Sequence, residues 1–378
     1  VVDLMQRAGI TNEVEHSLQP QAPSNFAVGG GQGPASFDRQ ALAGARAHLA
    51  FQATPPQPVT PLWAQDFPSA VPSAGNATDV EVDLGSLVDF YRHPARALLR
   101  HTLGLSMGEW DDALPDEIPV EPNALAEWSI GDRMVRLLLD GMPMDRVEAA
   151  ERLRGEVPPG QLGSRTLNKI RPVVGRVVSA TQHLYGEPAR DLDCELALGQ
   201  SLLTGRVRVH GPVIVSHGFS RTGAAHLVQA WASLLLLAAT QPAPTVGWRA
   251  VHVGRDAVAT LLAPPPKQAA KVLGEMLAVR EQGLVRLVPL PLRTAGEFRG
   301  VIPLRPYGEP DLEDQGRRAF GYEYDADWAR FLPKDFESLR RLSPDPNDPG
   351  VPGPSRFENL SDWLFAPLRA QMTVGNLK

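Results

Sequence analysis

The sequence predicts a mixed α/β (α+β) fold in which helices come first and a small sheet follows. Three observations support this prediction. Apolar residues recur every three or four positions over 84–102, the period of a helix with one buried face. The period falls to two over 192–198, where apolar and polar residues alternate as in a half-buried strand. A nearly continuous apolar stretch over 227–239 is then typical of a buried helix.

The first part of the chain differs in composition from the rest. Residues 1–50 form a short lead-in that ends in a helical stretch rich in Ala and Arg. The next segment, 51–80, contains six prolines with small polar residues between them, a composition typical of an extended linker. We therefore expect a domain boundary in 51–80 and a main domain over 81–378. The sequence opens at Val1 without an initiator methionine, and we expect it to be the later part of a longer polypeptide.

The main domain is predicted to begin with helices. Pro94 interrupts the periodic segment 84–102 and predicts a kink or a helix restart at that point. The same three-to-four spacing predicts further helices at 124–139, 145–154 and 165–184.

The strands are predicted in the second half of the chain. After the strand at 192–198, two more are expected, joined by the tight connection His210-Gly211-Pro212. After these two strands, a helix, a strand, a helix, a strand and two final helices are predicted. In order, these predicted elements are strands 202–209 and 213–216, helix 224–239, strand 248–253, helix 267–282, strand 284–290, and helices near 335–342 and 357–371.

Charge and cysteine content narrow the classes of function. The chain has 37 basic and 43 acidic residues and a net charge of −6, which argues against a stand-alone basic nucleic-acid binder. Only five of the basic residues are lysines. The single cysteine, Cys194, excludes an internal disulfide framework and suits a reducing, cytoplasmic location. The apolar run 227–239 is too short to span a bilayer, so no membrane partner is expected.

Motifs for small-molecule chemistry are incomplete. Residues 213–225 read as strand, turn and helix, and the glycines at 218 and 223 have the spacing of the first half of a phosphate-binding loop. Ala224 and Ala225 stand where that loop needs Lys and Ser or Thr. The sequence contains no G-x-S-x-G nucleophile motif. His93 and His101 are two helical turns apart, too far to share one ion. We therefore interpret 213–225 as an ordinary strand-to-helix turn.

The predicted strands 202–209 and 213–216 lack the residues of a metal-dependent hydrolase. No Asp or Glu occurs from Leu196 to Arg255, and no Lys occurs from Ile170 to Pro266. Mg²⁺ binds carboxylate oxygens, so this stretch predicts neither a metal ligand nor a catalytic residue. It does contain five arginines that either contact DNA phosphates or pair with acids from elsewhere in the fold. These candidates are Arg206, Arg208, Arg221, Arg249 and Arg255.

A collinear series of segments resembles a known family. The segments are HSLQPQAPSNF (16–26), VDLGSLVDFYRHPARALLRHTLGL (82–105), LTGRV (203–207), HLVQAWASLLLLAA (226–239) and FAPLR (365–369). Together they are similar to the C-terminal region of RecC, the gamma subunit of the bacterial RecBCD helicase–nuclease, exodeoxyribonuclease V. The resemblance implies that 1–50 is the end of a preceding helicase-like domain and that 81–378 is the RecC C-terminal domain.

The resemblance also implies a fold and a role. It implies a degenerate PD-(D/E)xK restriction-endonuclease-like core, with helical additions, that has lost its catalytic residues. Active relatives carry an acid after a Gly on one strand and acid-x-Lys on the next. The matching strands here, 203–209 and 213–216, contain neither acid nor lysine. The residue scan and the resemblance thus lead to the same expectation.

The role implied is that of a non-catalytic domain in double-strand-break repair and recombination. It would guide DNA, help split the duplex and bind the RecB and RecD subunits, with double- and single-stranded DNA as further partners. No cofactor is expected in this chain, since ATP and Mg²⁺ would be used by the partner subunits. The location implied is the bacterial cytoplasm, with association with the nucleoid when on DNA. One alternative stays open: an active metal-dependent nuclease with atypically placed carboxylates such as Asp193 or Glu195.

Overall fold

The computed structural model describes residues 17, 19–27, 36–53, 80–104, 122–301, 311–351 and 353–377, together with positions 7 and 9. Internal contacts divide the chain into two compact units, Val1–Pro61 and Leu62–Lys378. In the first unit the described elements are a 3₁₀ turn at Pro23–Phe26 and helix α1 at Arg39–Ala53.

The second unit is a mixed α/β structure. Its described helices are α2 (Leu84–Arg92), α3 (Pro94–Leu103), α4 (Ala124–Leu139), α5 (Met144–Leu153), α6 (Gly160–Gln182), α7 (Ala224–Thr240), α8 (Pro266–Gly283), α9 (Leu292–Phe298), α10 (Leu312–Glu323), α11 (Phe336–Arg340) and α12 (Arg356–Ala370), with a 3₁₀ turn at Trp328–Arg330. Its strands are β1 (Val80–Asp83), β2 (Ala189–Leu198), β3 (Ser201–His210), β4 (Val213–His217), β5 (Arg249–Val253), β6 (Ala257–Leu262) and β7 (Met372–Asn376). The predicted mixed α/β class is therefore confirmed.

The seven strands form one open, mixed sheet. Its order is β1-β3-β4-β5-β6-β7, and β2 pairs with β3. Strands β2 and β3 form a long antiparallel ribbon, here called the β2–β3 ribbon, from the pair Ala189↔His210 to the pair Leu198↔Ser201. Strands β3 and β4 pair only at His210↔Val213 and then diverge. Strand β4 runs parallel to β5, so the chain makes a β4–α7–β5 crossover.

Two hydrophobic cores cover the two faces of the sheet. On one face α7 lies between the strands and helices α8 and α9, and its Trp231 and Leu235 are fully buried. On the other face α4 and α6 pack Met134 and Val174 against β4 and β5. No helix in the described ranges has both the length and the apolar character needed to cross a membrane.

Local signals explain several element boundaries. The carboxylate of Asp83 accepts the backbone N–H of Gly85 at 2.7 Å and so caps α2. At the other end of the helix His93 ends α2 and caps α3, its Nδ1 accepting the N–H of Arg96 at 3.1 Å. Pro94 then occupies the first position of α3, where its missing N–H is not needed. The predicted restart at Pro94 is confirmed.

One predicted strand is wrong, and some observed elements were not predicted. No strand forms at 284–290, where Leu287, Val288 and Leu290 are buried in an irregular segment instead. A short apolar run cannot distinguish a buried strand from a buried loop, so periodicity gave the wrong element there. Helices α9 and α10 and strands β1, β6 and β7 are absent from the prediction, and two of them, β1 and β7, pair with strands distant in the sequence.

Truncating the buried face of α7 should destabilise the second unit. Leu235 is fully buried, and Leu235→Ala should lower the free energy of unfolding by about 2–5 kcal/mol because it leaves a cavity. Leu262 on β6 is 53% exposed, and Leu262→Ala should cost less than about 1 kcal/mol. Urea unfolding followed by circular dichroism measures both, and equal losses would contradict the described position of α7.

Candidate nucleic-acid interface

The five candidate arginines lie in three places. Arg206 and Arg208 are on β3, in the β2–β3 ribbon. Arg221 is in the loop between β4 and α7, and Arg255 is in the turn between β5 and β6, so both lie where the parallel strands β4 and β5 end. Arg249 begins β5 and therefore lies at the opposite end of that strand.

The ribbon arginines are paired across the strands. Arg206 lies opposite Asp193 and Arg208 opposite Asp191 in the β2–β3 register. Arg206 Nε donates to Asp193 Oδ1 at 2.7 Å, and Arg208 donates through Nε and Nη2 to the two oxygens of Asp191 at 2.8 and 3.0 Å. The hydrogen bond from Arg208 lowers the pKa of Asp191 below its ordinary value. For these two arginines, pairing with acids from elsewhere in the fold is correct.

The other three arginines have a different environment. Arg221, Arg249 and Arg255 form no ion pair with an acidic side chain in the described part of the chain. The guanidinium of Arg255 lies 5.8 Å from the centre of the Phe219 ring, a cation–π distance. Their positive charge is therefore not neutralised by a neighbouring carboxylate, unlike that of Arg206 and Arg208.

Arg221 and Arg255 line one groove, here called the strand-end groove. Its volume is about 280 Å³. The lining residues are Glu127, Lys169, Ile170, Val173, Phe219, Arg221, Arg255 and Asp256. In open α/β sheets, ligands bind outside the carboxyl ends of parallel strands, which is the position of this groove.

Backbone contacts hold the two loops of the groove together. The N–H of Arg255 donates to the carbonyl of Ser220 at 2.9 Å, and the N–H of Thr222 donates to Asp256 Oδ1 at 2.9 Å. Gly131 on α4 allows the Phe219 ring to lie directly against the helix, because a side chain at that position would overlap the ring. The groove is thus set by the packing of α4 and by bonds between loops, which the sequence scan did not detect.

Histidines contribute little positive charge to this region. His252 on β5 stacks on His226 of α7, with ring centres 4.5 Å apart, and its Nδ1 lies 3.0 Å from Ser216 Oγ. Burial, and then the neighbouring His226 and His217, lower the pKa of His252 to about 3. Burial also lowers the pKa values of His217 and His226. The local positive charge expected from the sequence therefore comes from the arginines.

One cluster has the composition of a metal site. His93, Asp325 and Asp327 place ligand atoms within 4.8 Å of one another, the one such set among the described residues. The guanidinium of Arg96 already bonds both carboxylates, at 2.6 Å to Asp327 and 3.0 Å to Asp325. His93 Nδ1 accepts an N–H, so its Nε2 carries the proton that bonds Asp325. Arg96 and His93 already hold both carboxylates, so the cluster is a hydrogen-bonded network that joins α3 to distant residues, and it gives no reason to assign a metal.

Acidification should destabilise the chain through His252. Its pKa is about 3 when folded against an ordinary 6.5, so the unfolded state binds more protons between these values. The free energy of unfolding should therefore fall as the pH drops below 6.5, by about 1 kcal/mol from this group between roughly pH 7 and 5.5. Urea unfolding at both pH values measures the loss. His252→Gln should reduce the pH dependence, and Leu262→Ala, which removes no titratable group, should keep it.

Comparisons with known proteins support a family assignment. A family model described as the RecC C-terminal domain matches residues 79–300. The RecBCD enzyme subunit RecC of two Mycobacterium tuberculosis strains is 35% identical over 291 residues, 75% of this chain and 25% of the relative. The corresponding Mycolicibacterium smegmatis subunit is 32% identical over 289 residues, 74% of this chain and 25% of the relative. The chain thus spans about a quarter of the length of these curated relatives. Because the family model covers more than half of the sequence, the chain belongs to the RecC C-terminal domain family.

Proposed function

We propose that this chain is a non-catalytic, DNA-guiding and subunit-binding part of a RecBCD enzyme. In this role it helps to split duplex DNA and feeds the strands to the RecB and RecD subunits. The chain itself needs no cofactor, and ATP and Mg²⁺ are used by the partner subunits. The name of the relatives, RecBCD enzyme subunit RecC, supports the assembly.

The observation that carries the proposal is the composition of the β3–β4 hairpin. The order α6–β2–β3–β4–α7–β5 is a helix, a three-strand meander, a helix and a parallel strand, which suits a PD-(D/E)xK core. The two central strands diverge after His210↔Val213, where an active nuclease would hold its acids and lysine. Arginines and apolar residues occupy these strands instead, so they offer no carboxylate oxygen to Mg²⁺.

The surroundings of the hairpin favour this role over an active nuclease. Asp191 and Asp193 on β2 are both bonded to arginines of β3. Glu195 lies opposite Thr204 on the exposed ribbon. A metal-dependent nuclease needs converging carboxylates and a group that orients water. On the described residues of the ribbon, no third histidine or acidic ligand completes a set with Asp193 and Glu195.

The proposed DNA contacts rest on arginine chemistry. Guanidinium groups bind phosphate oxygens in a bidentate manner without a metal. Arg221, Arg249 and Arg255 are the better candidates, because their charge is not matched by an acid in the described structure. Arg206 and Arg208 would have to exchange a carboxylate for a phosphate.

Purified chain should not cleave linear duplex DNA in the presence of Mg²⁺. The expected result is the same for the wild type, Asp193→Asn and Glu195→Gln, because the described strands β2, β3 and β4 bring no converging carboxylate set together that could hold the ion. A fluorescently end-labelled duplex, analysed on a denaturing gel with and without chelator, measures this. Chelator-sensitive cleavage that either substitution abolishes would establish the active-nuclease alternative.

The chain should also associate with its partner subunits. Co-expressed with RecB and RecD of the same organism, tagged chain should elute with them as one species in size-exclusion chromatography. A Leu262→Ala variant, altered at an exposed position, serves as a folded control and should be retained equally. Elution of the chain alone, with its circular dichroism spectrum intact, would contradict the subunit-binding role.

A further inference from the structure

The strand-end groove combines two features, namely arginine side chains without a carboxylate partner among the described residues and an apolar lining. It contains the side chains of Arg221 and Arg255, which lack a carboxylate partner among the described residues. Its floor is apolar and comes from Ile170, Val173 and Phe219. The ribbon arginines, by contrast, lie on an exposed strand and are already paired.

The acids of the groove are already engaged. Glu127 Oε1 accepts a hydrogen bond from Lys169 Nζ at 2.6 Å. Asp256 accepts the backbone N–H of Thr222, which fixes the loop that carries Arg221. The pair Lys169–Glu127 is neutral, and Asp256 keeps its negative charge, so the two guanidinium groups leave the lining with a net positive charge toward an entering anion.

The shape and charge of the groove select among anions. Its volume of about 280 Å³ admits a single sugar–base unit. Proteins that bind single strands combine cationic groups for the phosphates with apolar or aromatic surfaces for the bases. An inorganic phosphate would use only the guanidinium groups, and an acidic peptide would leave the apolar floor uncovered.

We propose that the strand-end groove binds one nucleotide of single-stranded DNA. Arg221 and Arg255 bind its phosphate, and Val173, the partly exposed apolar residue of the lining, contacts its sugar and base. Arg255 is held for this contact by its position over the Phe219 ring. The inference rests on the DNA-guiding function proposed above and adds to it a site and a strand preference.

The test compares two matched double variants of the full chain by fluorescence anisotropy. The probes are a labelled oligothymidylate and a labelled duplex of the same length. Arg221→Gln with Arg255→Gln should weaken oligothymidylate binding roughly tenfold and make its salt dependence shallower, since phosphate contacts are lost. Arg206→Gln with Arg208→Gln removes two exposed arginines outside the groove and should change binding less than about twofold.

The possible outcomes separate the groove from the wider function. Equal effects of the two double variants, or a larger effect of the ribbon variant, would overturn the groove and leave DNA guidance intact. Failure of the wild type to bind either probe would overturn both. Competition by polyglutamate as effective as that by unlabelled oligothymidylate would also overturn the nucleotide assignment. Matching thermal unfolding curves for all variants exclude misfolding as the cause of any loss.

Discussion

Helix α7 has to be buried, and this requirement determines how many of the other elements in the second unit are arranged. Its residues are apolar on nearly every side, so the helix is stable only where protein surrounds it. The sheet covers one side, and α8 and α9 cover the other. A chain that leaves β4, enters this buried helix and returns to β5 makes a crossover between parallel neighbours. Because parallel strands end at the same edge, the loops carrying Arg221 and Arg255 meet there, and the strand-end groove follows from the burial of one helix.

Local sequence signals were sufficient to predict an element where that element does not depend on residues distant in the sequence. The restart at Pro94 and the ribbon strands are of this kind, since a proline or an alternating pattern specifies them without distant residues. These signals failed at Leu287, whose carbonyl accepts a hydrogen bond from Arg356 Nη1 at 3.0 Å instead of joining a ladder. Strand β7 depends in the same way on its pairing with β6. Where a backbone group finds its partner far along the chain, the local sequence carries no signal of it.

The pairing of the ribbon arginines could have been inferred from the sequence, whereas the environment of the groove arginines could not. A two-residue turn at Gly199-Gln200 fixes the ribbon register, and Gly199 has the positive φ of 66° that such a turn favours. That register places Asp191 and Asp193 opposite the arginines, although both acids precede the acid-free stretch. In the groove, Asp256 is adjacent to Arg255 in sequence, yet it accepts the N–H of Thr222. Proximity in sequence therefore does not identify the partner of Asp256.

On the proposed function, loss of catalysis and retention of DNA contact have one electrostatic basis. In a metal-dependent nuclease the carboxylates approach the phosphate only through Mg²⁺, because without the ion two negative groups repel each other. Arginine removes that dependence, since a guanidinium bonds phosphate oxygens directly and holds no water for attack. The net charge of −6 does not prevent such contact, because exposed charges farther away than about 8–10 Å are largely screened at physiological salt. DNA is then attracted at the ends of β4 and β5, where the arginines of the strand-end groove lie. The ribbon stays close to neutral, because its acids lie opposite its arginines.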